Sequence, residues 1–323
     1  VKACIPAAPR RRPVPRFPVA AVVFAVAAAL TACGNSDPLA GSGHCDADPS
    51  RLTVGSANFP ESETVADVYA EALRANGFTV DTKPGIGSRE AYVPALRQCS
   101  VSVLPDYTGN LLRYLDPKAT VSAEPEIERA LAGALGPDLA VATPAPGQDS
   151  DAVVVTRATA DRWHLQSIAD LAAHSGEVKF AGMAEFQERP DGLPGLKETY
   201  HLTISPGAFV PIADGGGPAT VRALTSGQVD AADIFTTSPA LAANDLVVLA
   251  DPLHNFSAQN VVPLFNARKK SDRATAVLNA VSAQLTTDQL LALNEAVSGA
   301  SKTEPAAAAK AWTAAHHLDQ PIG

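Results

Sequence analysis

The chain has 323 residues, 46% of them hydrophobic and 18% charged, with a formal charge of −9 at neutral pH. That length suits one large or two medium domains with a substantial core. No basic stripe offsets phosphate repulsion, which argues against nucleic acid as a partner.

Residues 1–32 read as a targeting segment. Lys2, Arg10, Arg11, Arg12 and Arg16 form a basic region, followed by a short apolar, small-residue run from Pro18 to Leu30. The run is too short for a comfortable membrane-spanning helix and has the layout of a signal peptide. It ends in Leu30-Thr31-Ala32-Cys33, which resembles a bacterial lipobox; the alternative is a signal peptide with an incidental cysteine. Lipidation at Cys33 would place the protein outside the cytoplasm, anchored to the outer face of the cytoplasmic membrane by lipid alone. Removing residues 1–32 takes away five basic residues and no acidic one, which lowers the formal charge from −9 to −14. Residues 33–50, rich in Gly, Ser, Asp and Pro, read as a flexible tether. Cys45 and Cys99 then remain as a pair in an oxidising compartment, which suggests a disulfide over two buried thiols.

In chain order, Arg51–Ala57 alternates like a strand. Asn58 reads as the N-cap of a helix with Pro60 in its first turn. That helix runs to about Asn76, with Val65, Val68, Tyr69, Ala72 and Leu73 on one stripe and Gly77 as terminator. Phe78–Lys83 follows as a strand, Gly85–Ser88 as a tight loop, and a helix continues to about Gln98. Val101–Leu104 reads as a buried strand, after which Asp106 caps a helix from Tyr107. A second α/β series has strands at Ala152–Thr156, Val178–Ala181, Val229–Ile234 and Leu246–Ala250, and the chain from Ser271 onward is mostly helical. Alternating strands and helices predict parallel sheets covered by helices. The expected architecture is α/β and two-lobed. The first lobe takes residues 51–143 plus 242–323, and the second takes residues 144–241.

Several enzyme signatures are missing: G-x-S-x-G, H-E-x-x-H and the P-loop pattern. Gly85-x-Gly87 starts like a dinucleotide fingerprint, but Glu90 stands where the third glycine belongs. No catalytic group, metal or cofactor is expected, and the protein is read as a non-enzyme.

Residues 53–115 carry a resemblance. Asn58-Phe59 with Glu61 before a long helix, the Gly-x-Gly turn and above all Pro105-Asp106-Tyr107-Thr108-Gly109 resemble the glycine betaine/carnitine/choline-type binding proteins of ABC importers. Weaker marks continue at Ile168–Leu171, at Glu185-Phe186 with Arg189–Gly192, and at Gly227–Asp230, so the resemblance spans about residues 52–315. It implies a type II periplasmic-binding-protein fold whose lobes close on a quaternary amine. The partners it implies are an ABC permease and its ATPase, with the binding protein itself a monomer. A trimethylammonium group donates no hydrogen bond, so ring faces must recognise it. Position by position, the resemblance implies Phe59, Tyr107, Phe186 and Phe209 as rings and Ser62 and Thr108 as hydroxyls of the ligand site. Tyr92 reads as helix packing. Three of the four rings are Phe, and residues 144–151 lack the arginine that some relatives use to clamp a carboxylate. These departures leave open a different ligand, including a planar aromatic one, or a sensor role on the same fold.

Overall fold

The structure is a computed structural model that describes Cys45 and residues 48–322. Cys33 and the targeting segment lie outside the described residues.

The chain enters the first lobe through β1 (Arg51–Gly55), α1 (Pro60–Ala75), β2 (Thr79–Lys83), α2 (Arg89–Arg97), β3 (Val103–Tyr107), α3 (Thr108–Leu115), α4 (Glu124–Ala134) and β4 (Leu139–Val141). It crosses to the second lobe, formed by β5 (Val153–Thr156), α5 (Arg157–Trp163), α6 (Ile168–Ala172), β6 (Phe180–Gly182), α7 (Leu193–Tyr200), β7 (Phe209–Pro211), α8 (Pro218–Thr225), β8 (Ala231–Asp233), α9 (Ala240–Ala243) and β9 (Leu246–Val248). It then returns as β10 (Val261–Asn266), α10 (Asp272–Gln284), α11 (Thr287–Ser298) and α12 (Pro305–Ala315).

Each lobe holds a five-stranded sheet, in the orders β2-β1-β3-β10-β4 and β7-β6-β8-β5-β9. Neither sheet is purely parallel as expected. β10 runs antiparallel to β3 and β4, and β5 runs antiparallel to β8 and β9; each is the first strand after the chain crosses between lobes. β9 pairs with β5, so the chain leaves the second sheet after Val248 and not at residue 241. β10 is wholly buried between β3 and β4 in the first sheet. Its Pro263 faces Pro105 of β3. Two prolines fit opposite each other only at a pair that exchanges no hydrogen bonds, where neither N–H is needed across the ladder.

Two local expectations are corrected. Phe59, with extended backbone, precedes the first turn of α1, and no Asn58 side chain caps it; Pro60 sits at the start, where a missing N–H costs nothing. Asp106 does not cap α3. It lies fully buried within β3, and its Oδ1 accepts from both Nε and Nη2 of Arg89, at 3.0 and 2.7 Å.

The first lobe's core packs α1 against the sheet and against α10, α11 and α12, through Leu52, Val65, Tyr69, Leu73, Phe265 and Leu278 among others. The second lobe's core is built on Val153, Ile168, Phe180 and Leu196. Cys45 and Cys99 form a disulfide that joins the chain ahead of β1 to the end of α2. Among the described residues no helix is long and apolar enough to cross a membrane.

Candidate functional site

The C-terminal ends of β1, β3 and β8 meet at the cleft between the lobes, where α/β folds gather their ligands. β1 delivers Ala57, Asn58 and Phe59, and β3 delivers Tyr107. α2 contributes Arg89 and Tyr92, α3 contributes Asn110, and the crossing segment contributes Asp149 and Asp151. From the second lobe come Met183, Arg189 and Phe235.

Three rings meet there. Phe59 and Tyr107 sit 6.1 Å apart between centroids, tilted by 32°. Phe59 meets Phe235 of the other lobe edge to face at 5.2 Å. The chain opposite Phe59 is Gly215, at a φ of +58°, where an added Cβ would come within 2.8 Å of the Phe59 Cβ. Only glycine allows this approach. With the rings in contact, the enclosed space between them is small, about 30 Å³.

Around the rings lies a polar frame that is mostly buried. The Tyr107 hydroxyl donates to Glu61 Oε1 at 2.5 Å. Glu61 Oε2 accepts from Thr237 Oγ1 of the second lobe at 2.6 Å and from the Asn294 amide. Asp149 Oδ1 accepts from the Thr237 N–H at 2.9 Å and from Thr236 Oγ1 at 3.1 Å. Asn110 Nδ2 donates to Asp151 Oδ2 at 2.8 Å. Burial, with the Glu61 charge beside it, pushes the Asp149 carboxyl well above the ordinary carboxylate range. Burial and then the Asp151 charge do the same to Asp233, which lies fully inside the second lobe at the end of β8. Burial and Glu61 together keep the Tyr107 phenol protonated.

The two cleft arginines are already paired, Arg89 with Asp106 and Arg189 with Glu90 at 3.3 Å. Among the described residues, no guanidinium lies within salt-bridge distance of Asp149 or Asp151. The arrangement therefore offers π faces and carboxylates to a cation, with two arginines at its edge for an anionic group. Among the described residues no group of three or more His, Cys, Asp or Glu side chains is placed to hold a metal ion.

Of the residues the sequence singles out, Phe59 and Tyr107 are brought together at the cleft. Ser62 and Thr108 are not in its lining. Ser62 is fully buried, and its Oγ accepts from the Ala57 N–H at 2.9 Å, which ties β1 to α1. Thr108 Oγ1 accepts from the Asn260 N–H at 3.1 Å and ties β3 to the returning chain. Gly109 completes that junction, since a Cβ there would meet Ala258 O at 2.6 Å. Phe186 and Phe209 stack on Phe180 in the second lobe's core, at 5.6 and 6.3 Å, and not on Phe59 or Tyr107. The reason is register: β6 and β7 pair with Phe180 opposite Phe209, and the turn after β6 folds Phe186 back onto the same layer.

Sequence reasoning missed Phe235, Arg89, Asp149 and Asp151, and took Tyr92 as packing alone. A signal existed for Phe235, which directly follows the strand-like run Val229–Ile234 and so stands at a strand's C-terminal end. The others are placed by contacts that no spacing records.

A sequence model of a family described as the substrate-binding domain of ABC-type glycine betaine transport systems matches residues 50–315. The chain is 27% identical over 226 residues to the glycine betaine-binding protein YehZ of Escherichia coli, covering 67% of this chain and 72% of that one. It is 28% identical over 223 residues to CosB, the substrate-binding protein of a chemotactic signal transduction system in Halobacterium salinarum, covering 64% and 66%. A crystal structure of a glycine betaine/carnitine/choline ABC transporter aligns with a TM-score of 0.64 at 21% identity, over 83% of this chain and all of that one. Lactococcal OpuAC, closed on glycine betaine, aligns at 0.58 with 15% identity, over 83% and 97%. Both structures share the two-lobed fold.

Proposed function

We propose that this chain, which belongs to the family of substrate-binding domains of ABC-type glycine betaine transport systems, captures a quaternary-ammonium osmoprotectant between its lobes and hands it to a membrane permease. The observation that carries this reading is the meeting of Phe59, Tyr107 and Phe235 beside Asp149 and Asp151. A cation over a ring face gains about 0.5–2 kcal/mol, more when desolvated. The neighbouring carboxylates add an attraction that grows as water leaves the cleft. Arg89 and Arg189 supply donors for a ligand carboxylate, so glycine betaine, carnitine and choline all fit the chemistry.

In this mechanism Phe59 and Phe235 part when the lobes open, the ligand enters between them, and closing restores the bonds from Thr237 to Glu61 and from Arg189 to Glu90. Each of these bonds joins one lobe to the other, so each can help hold the closed form. The chain crosses between lobes after β4 and after β9, which are the hinges of this reading. Lipidation at Cys33 would keep the protein beside its permease on the outer face of the membrane. The likeness to CosB supports a second reading, in which the same closed form docks onto a chemotaxis receptor.

Calorimetry on protein lacking Cys33 tests the assignment, with glycine betaine, carnitine and choline as titrants. Saturable binding that is lost in Phe235→Ala supports it. No heat with any quaternary amine overturns it.

A further inference from the structure

We propose that the cleft continues past the Phe59–Phe235 pair into a second compartment that takes the apolar substituent of a cationic amine, so that the ligand is larger than a betaine. This rests on the quaternary-amine reading of the same cleft and extends it.

Two cavities share Phe59, Phe235 and Asp149 as their common wall. The one between the rings measures about 30 Å³, while the groove on the far side measures about 610 Å³. The latter lies inside the range of roughly 300–1,000 Å³ typical of sites for drug-sized molecules. Its walls come from both lobes: Pro60 at the start of α1, Val221 on α8, and Ala240 and Ala243 on α9, with the two rings closing one end. These side chains are apolar and small, so they leave width for a ring or a branched alkyl group.

The polar groups of the groove select charge. Glu61 and Asp149 line it and are 4% and 5% exposed. Asn294, from α11, lines it too and is 5% exposed. Its amide nitrogen serves Glu61 and Thr237, while among the described residues its Oδ1 has no hydrogen-bond partner. A buried acceptor without a donor costs free energy that a ligand hydroxyl or N–H can recover. Two buried carboxylates and a vacant acceptor at one end, apolar walls along the length, and exposed Arg222, Glu295 and Lys302 at the mouth together fit a cation with a donor and an apolar arm. A bare betaine would leave most of this space to water.

The test compares choline with its benzyl analogue, benzyl(2-hydroxyethyl)dimethylammonium, by calorimetry on the protein lacking Cys33. Glycine betaine serves as a control. Burying a phenyl group predicts binding tighter than choline by about tenfold or more. Ala243→Trp and Val221→Phe each fill the groove, and each should pull that ratio below about threefold by removing the same burial. If choline or glycine betaine binds and the benzyl compound binds no tighter, the second compartment is refuted while the quaternary-amine reading stands. An advantage that survives both filling variants also refutes it. If no quaternary amine binds, both readings fall together.

Discussion

Tyr107 donates its hydroxyl to Glu61 at 2.5 Å, and the other oxygen of the same carboxylate accepts from Thr237 of the opposite lobe. A cleft ring and the contact between lobes are therefore held by one buried side chain. Tyr107→Phe keeps the ring and leaves Glu61 Oε1 without its donor, which should cost about 1–3 kcal/mol of stability. Urea denaturation checks this. Unchanged stability would mean that the bond contributes nothing net.

Phe235 offers the cleaner test of the cage, because it is only half-buried and serves no lobe core. Phe235→Ala should weaken quaternary-amine binding by about tenfold, the value of a desolvated cation–π contact. The thermal midpoint should move little. A large fall in midpoint with unaltered affinity would reassign the ring to packing.

Asp149 gives a pH dependence of definite sign. Its carboxyl titrates above the ordinary value of 3.8 because it is buried beside Glu61. Between 3.8 and that raised value the folded chain still holds a proton that the unfolded chain has released. Stability from this group is therefore full below the unfolded value and declines as pH rises through the window. Asp149→Asn should flatten that decline and raise the denaturation midpoint at neutral pH. Midpoints measured from pH 4 to 8 decide the matter. Above that raised value, where Asp149 is ionised, the same variant should also weaken binding of choline, a net cation.

The disulfide between Cys45 and Cys99 spans 54 residues. Replacing both by Ser frees the chain ahead of β1 from the end of α2 and should cost about 2–4 kcal/mol, mainly through the unfolded chain. Chemical denaturation of the oxidised parent and the double variant checks it. Equal stability would show that the closed segment is ordered without the bond.

Much of the fold was legible in the sequence because its signals are local. The apolar stripe of α1, Gly77 behind it and the alternation of β1 each depend on neighbours within a few residues. The Asp-Tyr-Thr-Gly block was legible as well, and it places Tyr107 at the cleft. What lay beyond reach was anything set by pairing between distant segments. The run Val261–Asn266, which holds a proline, is assigned no element by local pattern, yet it forms a strand because at its pair with Pro105 neither N–H is needed toward β3.

The same division runs through the candidate site. Local pattern alone puts an aromatic after Asn58 and another after Asp106, both at strand ends. Which other rings join them is settled by packing between distant segments. Phe186 and Phe209 lie opposite a third phenylalanine in the second lobe's core, whereas Phe235 is carried to the cleft by the end of β8 and faces Phe59 across a glycine. The charges followed the same rule. Arg89 carries no signal in the sequence and is claimed by Asp106, while Asp149 and Asp151, part of an unremarkable polar stretch, come to rest beside the rings. A side chain's neighbours across the cleft are fixed by register and lobe packing, and neither is written in the spacing of residues along one strand.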